Sequence, residues 1–334
     1  MNPPAFEHTH SAHCESGAFA ALLRHSGIRL SESMVFGIGS GLFFLYFPLV
    51  KIYGAPLVAY RDAPNAIMTR GAKRLGVRLE KQRFRNADHG MHVLDEALAA
   101  GVPVGLQTGV FWLPYFPRDM RFQFNGHHVI AYGKEAKEYL LSDTVFEAPV
   151  RCHEEDLRRA RFSKGPLAPR GLLYRIAGTA GEPDLVAAAR AGLKSTAWRM
   201  LKIPFRYVGV SGIRTLARAM EDWPVKQPPA TALSWLANTI RMQEEIGTGG
   251  GGFRFMYAAF LDEAAALLKL PALRGVSEQI SEAGDRWREF AVAGAQLIRA
   301  KECTPAAFQS LSARLLDCAA REESAFKAIR KMVA

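Results

Sequence analysis

Three residues far apart in the chain have the side chains for nucleophilic chemistry: Cys14, His127 and Asp143. Cys14 closes a small, polar, histidine-rich stretch, His8-Thr9-His10-Ser11-Ala12-His13. It precedes Ala18 to His25, where Phe19, Leu22 and Leu23 fall at helical spacing. A thiol at a helix start meets unpaired backbone N–H groups and the positive end of the helix dipole, and both favour thiolate. A nucleophilic cysteine also needs a base, brought from elsewhere in the chain. The competing reading is a buried structural cysteine, a common fate of an isolated Cys.

The base is sought where two apolar runs flank a short charged turn. His127-His128-Val129-Ile130-Ala131-Tyr132-Gly133, the turn Lys134 to Glu138, and Tyr139-Leu140-Leu141-Ser142-Asp143 predict an antiparallel hairpin. His127 near the start of one strand can face Asp143 near the end of the next. Adjacent strand residues point to opposite faces, so only one of His127 and His128 can serve. The order Cys14, His127, Asp143 resembles that of papain-like enzymes. So do the pattern His-x-Val-x-Ala-x-Gly at 127–133 and the sixteen-residue step from His127 to Asp143. This favours His127 and leaves His128 as the alternative. The imidazole would deprotonate the thiol and the carboxylate would fix its tautomer. Papain-like enzymes carry a glutamine six residues before the cysteine, which helps bind the oxyanion. Here that position is His8, whose N–H can donate the same bond beside the backbone N–H of Cys14. His8, His10 and His13 together could suggest a metal cluster, but no cysteine or carboxylate completes a zinc spacing, so no metal is expected.

Around these residues the sequence predicts mixed structure, then helices. Gly37-Ile38-Gly39-Ser40-Gly41 needs close backbone approach or positive φ and is expected to line the substrate beside the cysteine helix. No strand precedes it and no Gly-Lys-Ser/Thr follows, which argues against a nucleotide loop. Segments 64–75 and 92–100 read as helices, and 77–84 and 102–107 as strands. The proline-broken Phe111-Trp112-Leu113-Pro114-Tyr115-Phe116-Pro117 reads as an aromatic wall for an apolar ligand, with Tyr115 in it, or as a loop tucked onto the core. Residues 154–161 read as a charged helix and 172–176 as a last strand. From Pro183 onward helical patterns punctuated by prolines dominate, over 184–203, 209–221, 230–246, 253–268, 277–300 and 304–332.

At 334 residues, with 49% hydrophobic and 22% charged, the chain has the make-up of an ordinary globular protein of two domains. Cys14, Cys152, Cys303 and Cys318 lack any C-x-x-C spacing, which predicts reduced thiols and a cytoplasmic home. Met1-Asn2-Pro3-Pro4 does not read as a signal peptide, and no apolar run is long enough to span a bilayer. The net charge of +11 is uneven: 15 Lys and Arg against 12 Asp and Glu up to residue 145, and 28 against 20 beyond. A basic balance suggests an acidic partner, although a merely basic soluble surface is the bland alternative. No nucleic-acid motif accompanies it.

Several motifs are together similar to the butirosin-biosynthesis H-type acyltransferase family. They are His13-Cys14-Glu15-Ser16-Gly17-Ala18, Leu22-Leu23-Arg24-His25-Ser26-Gly27-Ile28, Ser31-Glu32, and Phe36-Gly37-Ile38-Gly39-Ser40-Gly41-Leu42. Gly247-Thr248-Gly249-Gly250-Gly251-Gly252-Phe253-Arg254 and Tyr257 look like the signature of that family's second domain. The resemblance implies an α+β fold, with a papain-like catalytic domain over 1–180 and a helical domain over 181–334. It implies transfer of an acyl group from an acyl carrier protein thioester through Cys14 to a small-molecule amine, or hydroxyl, in specialised metabolite or lipid biosynthesis. No cofactor belongs to the enzyme itself, since the donor carries phosphopantetheine. His8, His13, Gly39, Tyr115, Arg254 and Tyr257 are then expected around the substrate and oxyanion, with Arg254 and the glycine run as a possible anion site. The rivals are a cysteine hydrolase (peptidase, amidase or thioesterase) using the same residues, and a non-catalytic binding protein. Monomer and homodimer both stay open.

Overall fold

The computed structural model describes residues 6–333. Met1–Pro4, read above for a leader, lie outside the described residues. Along the chain run α1 (Cys14–His25), α2 (Glu32–Ile38), β1 (Leu42–Ile52), β2 (Ala55–Arg61), α3 (Ala66–Arg74), β3 (Val77–Gln82), α4 (Ala87–Ala99) and β4 (Val104–Thr108). Then come β5 (His127–Glu135), β6 (Glu138–Ser142), β7 (Val150–His153), α5 (Glu154–Arg161) and β8 (Leu173–Thr179). The helices α6 (Leu185–Leu201), α7 (Gly209–Lys226), α8 (Pro229–Glu244), α9 (Arg254–Leu267), α10 (Ala272–Ala300) and α11 (Pro305–Met332) complete it. The fold is α+β, and it divides into two compact units.

The first unit runs to Val35 and resumes over Ile67–Pro183. Its sheet has the order β3-β8-β4-β5-β6-β7, antiparallel throughout. Val104 and Leu106 of β4, Val129 and Ala131 of β5, and Tyr139 and Leu141 of β6 join Leu94 and Leu98 of α4 and Leu157 and Ala160 of α5 in one core. Strand alternation puts His127 on the face of Val129 and Ala131, and His128 on the opposite face. His128 pairs across with Gln107, and its Nδ1 lies 3.1 Å from the Tyr174 hydroxyl. Gly105 opposite Tyr174 must be glycine: a Cβ there would lie 2.1 Å from the Tyr174 ring.

The second unit contains Phe36–Ala66 and the chain from Asp184 onward. A single cut near residue 180 therefore misses one exchange, because the β1–β2 hairpin goes with the helices. The reason is its backbone and its aromatic residues. Tyr46 N–H donates to Tyr207 O, Leu45 bridges Val208, and Phe44 and Tyr60 pack on Trp287. The hairpin is hard to see in sequence because apolar side chains occupy both faces of Leu42–Phe47, leaving no alternation to read. The glycine turn before it is clamped inside the same unit. Ser40 Oγ donates to Gly192 O, Arg199 donates to Ser40 O, and a Cβ on Gly37 would strike the Phe260 ring. Gly39, expected beside the cysteine helix, belongs with this second unit.

Candidate active site

Helix α1 begins on Cys14. His13 caps it: its Nδ1 accepts from Ser16 N–H at 3.4 Å and lies 2.8 Å from Ser16 Oγ. Glu32 fastens the approach to the cysteine by accepting from Ala12 N–H (2.9 Å), His13 N–H (2.7 Å) and Ser16 Oγ (3.1 Å). Burial pushes the Glu32 carboxyl up, and those hydrogen bonds pull the other way. On the far side of the sulfur, buried Glu15 accepts from Ile67 and Met68 N–H at 3.0 and 3.1 Å and so caps the first turn of α3. Cys14 is thus held from both neighbours, and its Sγ lies 4.0 Å from Gly126 O, one residue before β5.

The histidine and aspartate come from adjacent strands, as the hairpin requires. His127 opens β5, and Asp143 follows the last residue of β6. His127 Nε2 is 2.7 Å from Asp143 Oδ2, with both side chains buried. Tyr115 O–H donates to the same oxygen at 3.0 Å, and Val145 N–H donates to Oδ1 at 3.1 Å. The carboxylate therefore cannot rotate without breaking three bonds. Phe116 meets the His127 ring edge-on at 5.4 Å between centroids. Cys14 is a further hydrogen-bonding neighbour of His127. Since Asp143 takes Nε2, Nδ1 is the nitrogen left for the thiol.

Burial alone would pull the His127 pKa down. The charge and hydrogen bond of Asp143, with a smaller contribution from Cys14, outweigh it and raise the pKa to about 10. The ring is therefore an imidazolium at neutral pH, and a cation beside a sulfur stabilises thiolate. The other cysteines differ in surroundings. Burial pushes Cys152 up to about 12 and also pushes Cys303 and Cys318 upward, so these stay thiols.

Several expected site residues are engaged elsewhere. His8 Nε2–H donates to Phe146 O at 2.9 Å and its Nδ1 meets Ser142 Oγ at 2.8 Å. Both nitrogens are thus spent holding the chain either side of Asp143, and His8 does not supply an oxyanion donor. His13 is a buried helix cap rather than a pocket wall. Tyr115 packs against Phe116 and Phe146, with its hydroxyl committed to Asp143 rather than presented to an apolar ligand. Arg254 is fully buried in a bidentate pair with Glu322, Nε–Oε1 2.8 Å and Nη2–Oε2 3.0 Å, and its Nη1 donates to Gly252 O at 2.6 Å. Trp287 Nε1–H donates to the same Glu322 at 2.6 Å. The counter-charge of Arg254 thus lies inside the fold, in Glu322. Tyr257 is buried against Phe260 and Phe326. Among the described residues no group of three or more His, Cys, Asp or Glu could hold a metal ion.

Nothing in the sequence marks the Val145 N–H, or Glu15 and Glu32 as anchors. A backbone donor leaves no trace in residue type, and the partners of Glu15 and Glu32 depend on a tertiary fold. A helix-borne cysteine followed by a histidine and an aspartate on neighbouring strands is the arrangement of papain-like cysteine enzymes.

Comparison with known proteins gives two family matches. Residues 13–144 match the family described as butirosin biosynthesis protein H, N-terminal, and residues 155–329 match a domain of unknown function, DUF4872. No curated protein matches the chain. Among solved structures, a crystal structure described as a C39-like peptidase from Bacillus anthracis is similar in part. It is 13% identical over 52% of this chain and 96% of that one, with a TM-score of 0.37. With residues 155–329 matched, the chain belongs to the family of proteins that carry the domain of unknown function DUF4872, and its first part is similar to the N-terminal domain of butirosin biosynthesis protein H.

Proposed function

We propose that this protein is a cysteine-dependent acyltransferase that takes an acyl group from an acyl carrier protein thioester, holds it on Cys14, and passes it to an amine. The observation that carries the reading is His127, buried between Asp143 and Cys14 and held as imidazolium. Cys14 thiolate attacks the thioester carbonyl carbon and forms a new C–S bond. The oxyanion faces the Cys14 backbone N–H, which opens α1 and has no partner within the helix. The tetrahedral adduct collapses by breaking the bond to the phosphopantetheine sulfur, which leaves with the proton from His127. The now neutral ring accepts a proton from the acceptor amine as its nitrogen attacks the acyl–Cys14 carbonyl. Loss of the Cys14 sulfur completes the amide and restores the thiolate–imidazolium pair. A hydroxyl acceptor follows the same course and leaves as an ester.

A carrier-protein donor is supported by the family resemblance and by charge. Carrier proteins are acidic, and the chain beyond residue 145 holds most of the basic excess. Raising salt should slow use of the carrier-bound donor and leave a small thioester mimic almost unaffected, because exposed charges are screened over about 10 Å at 0.1 M. Equal salt sensitivity of the two donors contradicts carrier docking. Free acid as the sole product across a panel of amines reassigns the site to hydrolysis.

A further inference from the structure

Residues 36–61 contain Lys51 and Arg61 and no Asp or Glu. Residues 185–220 contain Arg190, Lys194, Arg199, Lys202, Arg206, Arg214 and Arg218, again without an acid. Both stretches belong to the second unit, where they meet: Tyr46 N–H donates to Tyr207 O, Arg199 lies over the Phe43 ring, and Phe47 packs on Phe205 and Tyr207. Two of the arginines are ion-paired, Arg199 with Asp62 and Arg214 with Glu323. Lys51, Lys194, Lys202 and Arg206 are exposed.

The same elements carry apolar side chains that the fold does not cover. Leu49 is 79% exposed, Tyr53 71%, Trp198 53% and Phe205 44%. Leu49, Val50 and Tyr53 sit at the end of the β1–β2 hairpin, where the pairing register shifts after Phe47. Trp198 lies on α6 four residues after Lys194, so the two share one helix face, and Lys202 caps the helix four residues later. Exposed apolar groups beside exposed cations mark a contact site.

We propose that this surface, the outer face at the end of α6 together with the β1–β2 hairpin tip, binds an anionic lipid membrane peripherally. Leu49 and Val50, 79% and 42% exposed at the end of the hairpin, are aliphatic side chains able to enter the acyl boundary of a bilayer. Trp and Tyr settle at the headgroup level, and Lys and Arg keep their ammonium and guanidinium groups in water while their stems lie on apolar surface. Each cation near an anionic leaflet multiplies the partition coefficient by about five. No helix of the described residues is long and apolar enough to cross a membrane, so attachment is by the surface.

The test is co-sedimentation of the full chain with vesicles of phosphatidylglycerol in phosphatidylcholine, against vesicles of phosphatidylcholine alone. Binding is expected to the anionic vesicles and to fall as salt rises. Leu49→Ser with Val50→Ser is expected to weaken it by about ten-fold through lost apolar burial. Lys194→Glu with Lys202→Glu is expected to weaken it more, with melting temperatures unchanged because all four side chains face solvent. Absence of binding to anionic vesicles at low salt overturns the proposal, as does binding that neither variant alters. If vesicles are ignored while the charge reversals abolish use of a carrier-bound donor, the surface belongs to the carrier protein. Retention of a short DNA duplex in place of vesicles would likewise reassign it.

Discussion

Each of the two units buries a charged network, and the networks end differently. In the second, Arg254, Glu322, Trp287 and the Gly252 carbonyl satisfy one another, with the guanidinium also 5.0 Å from the Trp287 ring centroid. Every strong interaction there closes inside the fold. In the first, Val145 N–H, Tyr115 O–H and His127 converge on Asp143, and the chain of hydrogen bonds runs on through His127 to end at the Cys14 sulfur. Burial of charge is common to both. Chemistry requires the second kind, in which one reactive atom is left for a substrate, so a conspicuous buried arginine after a glycine run is not by itself a ligand site.

The contrast is sharpest under mutation. Cys14→Ala should abolish acyl transfer and leave the melting temperature unchanged, since a small, nearly buried side chain is replaced by a smaller one. Removing one member of the closed network should do the reverse. Glu322→Gln leaves Arg254 buried without its counter-charge and is expected to cost about 3–5 kcal/mol, read as a lower denaturant midpoint. Residual acyl transfer, assayed well below the melting temperature, should proceed at the normal rate per folded molecule. A normal midpoint for Glu322→Gln would dissolve the distinction between the units.

Within the open network the effects are graded. Asp143→Asn should lower the rate of acyl-enzyme formation by about 10³–10⁴-fold, because it removes the acceptor that fixes the ring and holds its charge. It should also move the alkaline limb of the pH profile down from about 10, since Asp143 is the main cause that raises His127. Tyr115→Phe is milder, about ten-fold in rate for one lost hydrogen bond to a charged group. Its limb should shift the opposite way, upward, because Oδ2 loses a donor and presents more charge to His127. Limbs moving in the same direction for the two variants would contradict the arrangement of Tyr115 and His127 on one oxygen.

The smallest expected effect concerns stability against pH. The folded His127 pKa is raised above its ordinary 6.5, so the ring's pairing contributes fully below that value and is lost as pH rises through about 10. Between pH 7 and 11 the wild type should therefore lose more stability than His127→Ala, measured by denaturant midpoints.

The parts of the site that follow from period and spacing were legible in the sequence. The charged turn at Lys134–Glu138 marks the β5–β6 hairpin, and a one-residue register shift between Ala131 and Gly133 carries residue 143 to the face of residue 127. Two-residue alternation separates His127 from His128, which turns to Tyr174 on the other face. Other parts depend on contacts that no local pattern records. His8 stands where an oxyanion donor was expected, yet its partners are Ser142 and Phe146, more than a hundred residues away. Arg254 follows a glycine run that looks like an anion cradle, and only the fold brings Glu322 to it. The β1–β2 hairpin was hidden by apolar residues on both faces, and with it the exchange of Phe36–Ala66 into the helical unit.

The central claim is that Cys14 carries the acyl group, and intact-protein mass spectrometry after brief incubation with a carrier-protein thioester tests it most directly. A mass increase of one acyl group is expected, mapped to the peptide bearing Cys14 and discharged when amine is added. The adduct should be absent in Cys14→Ala and present in the Cys152, Cys303 and Cys318 alanine variants. An adduct that persists in Cys14→Ala, or product formed by that variant, would contradict it.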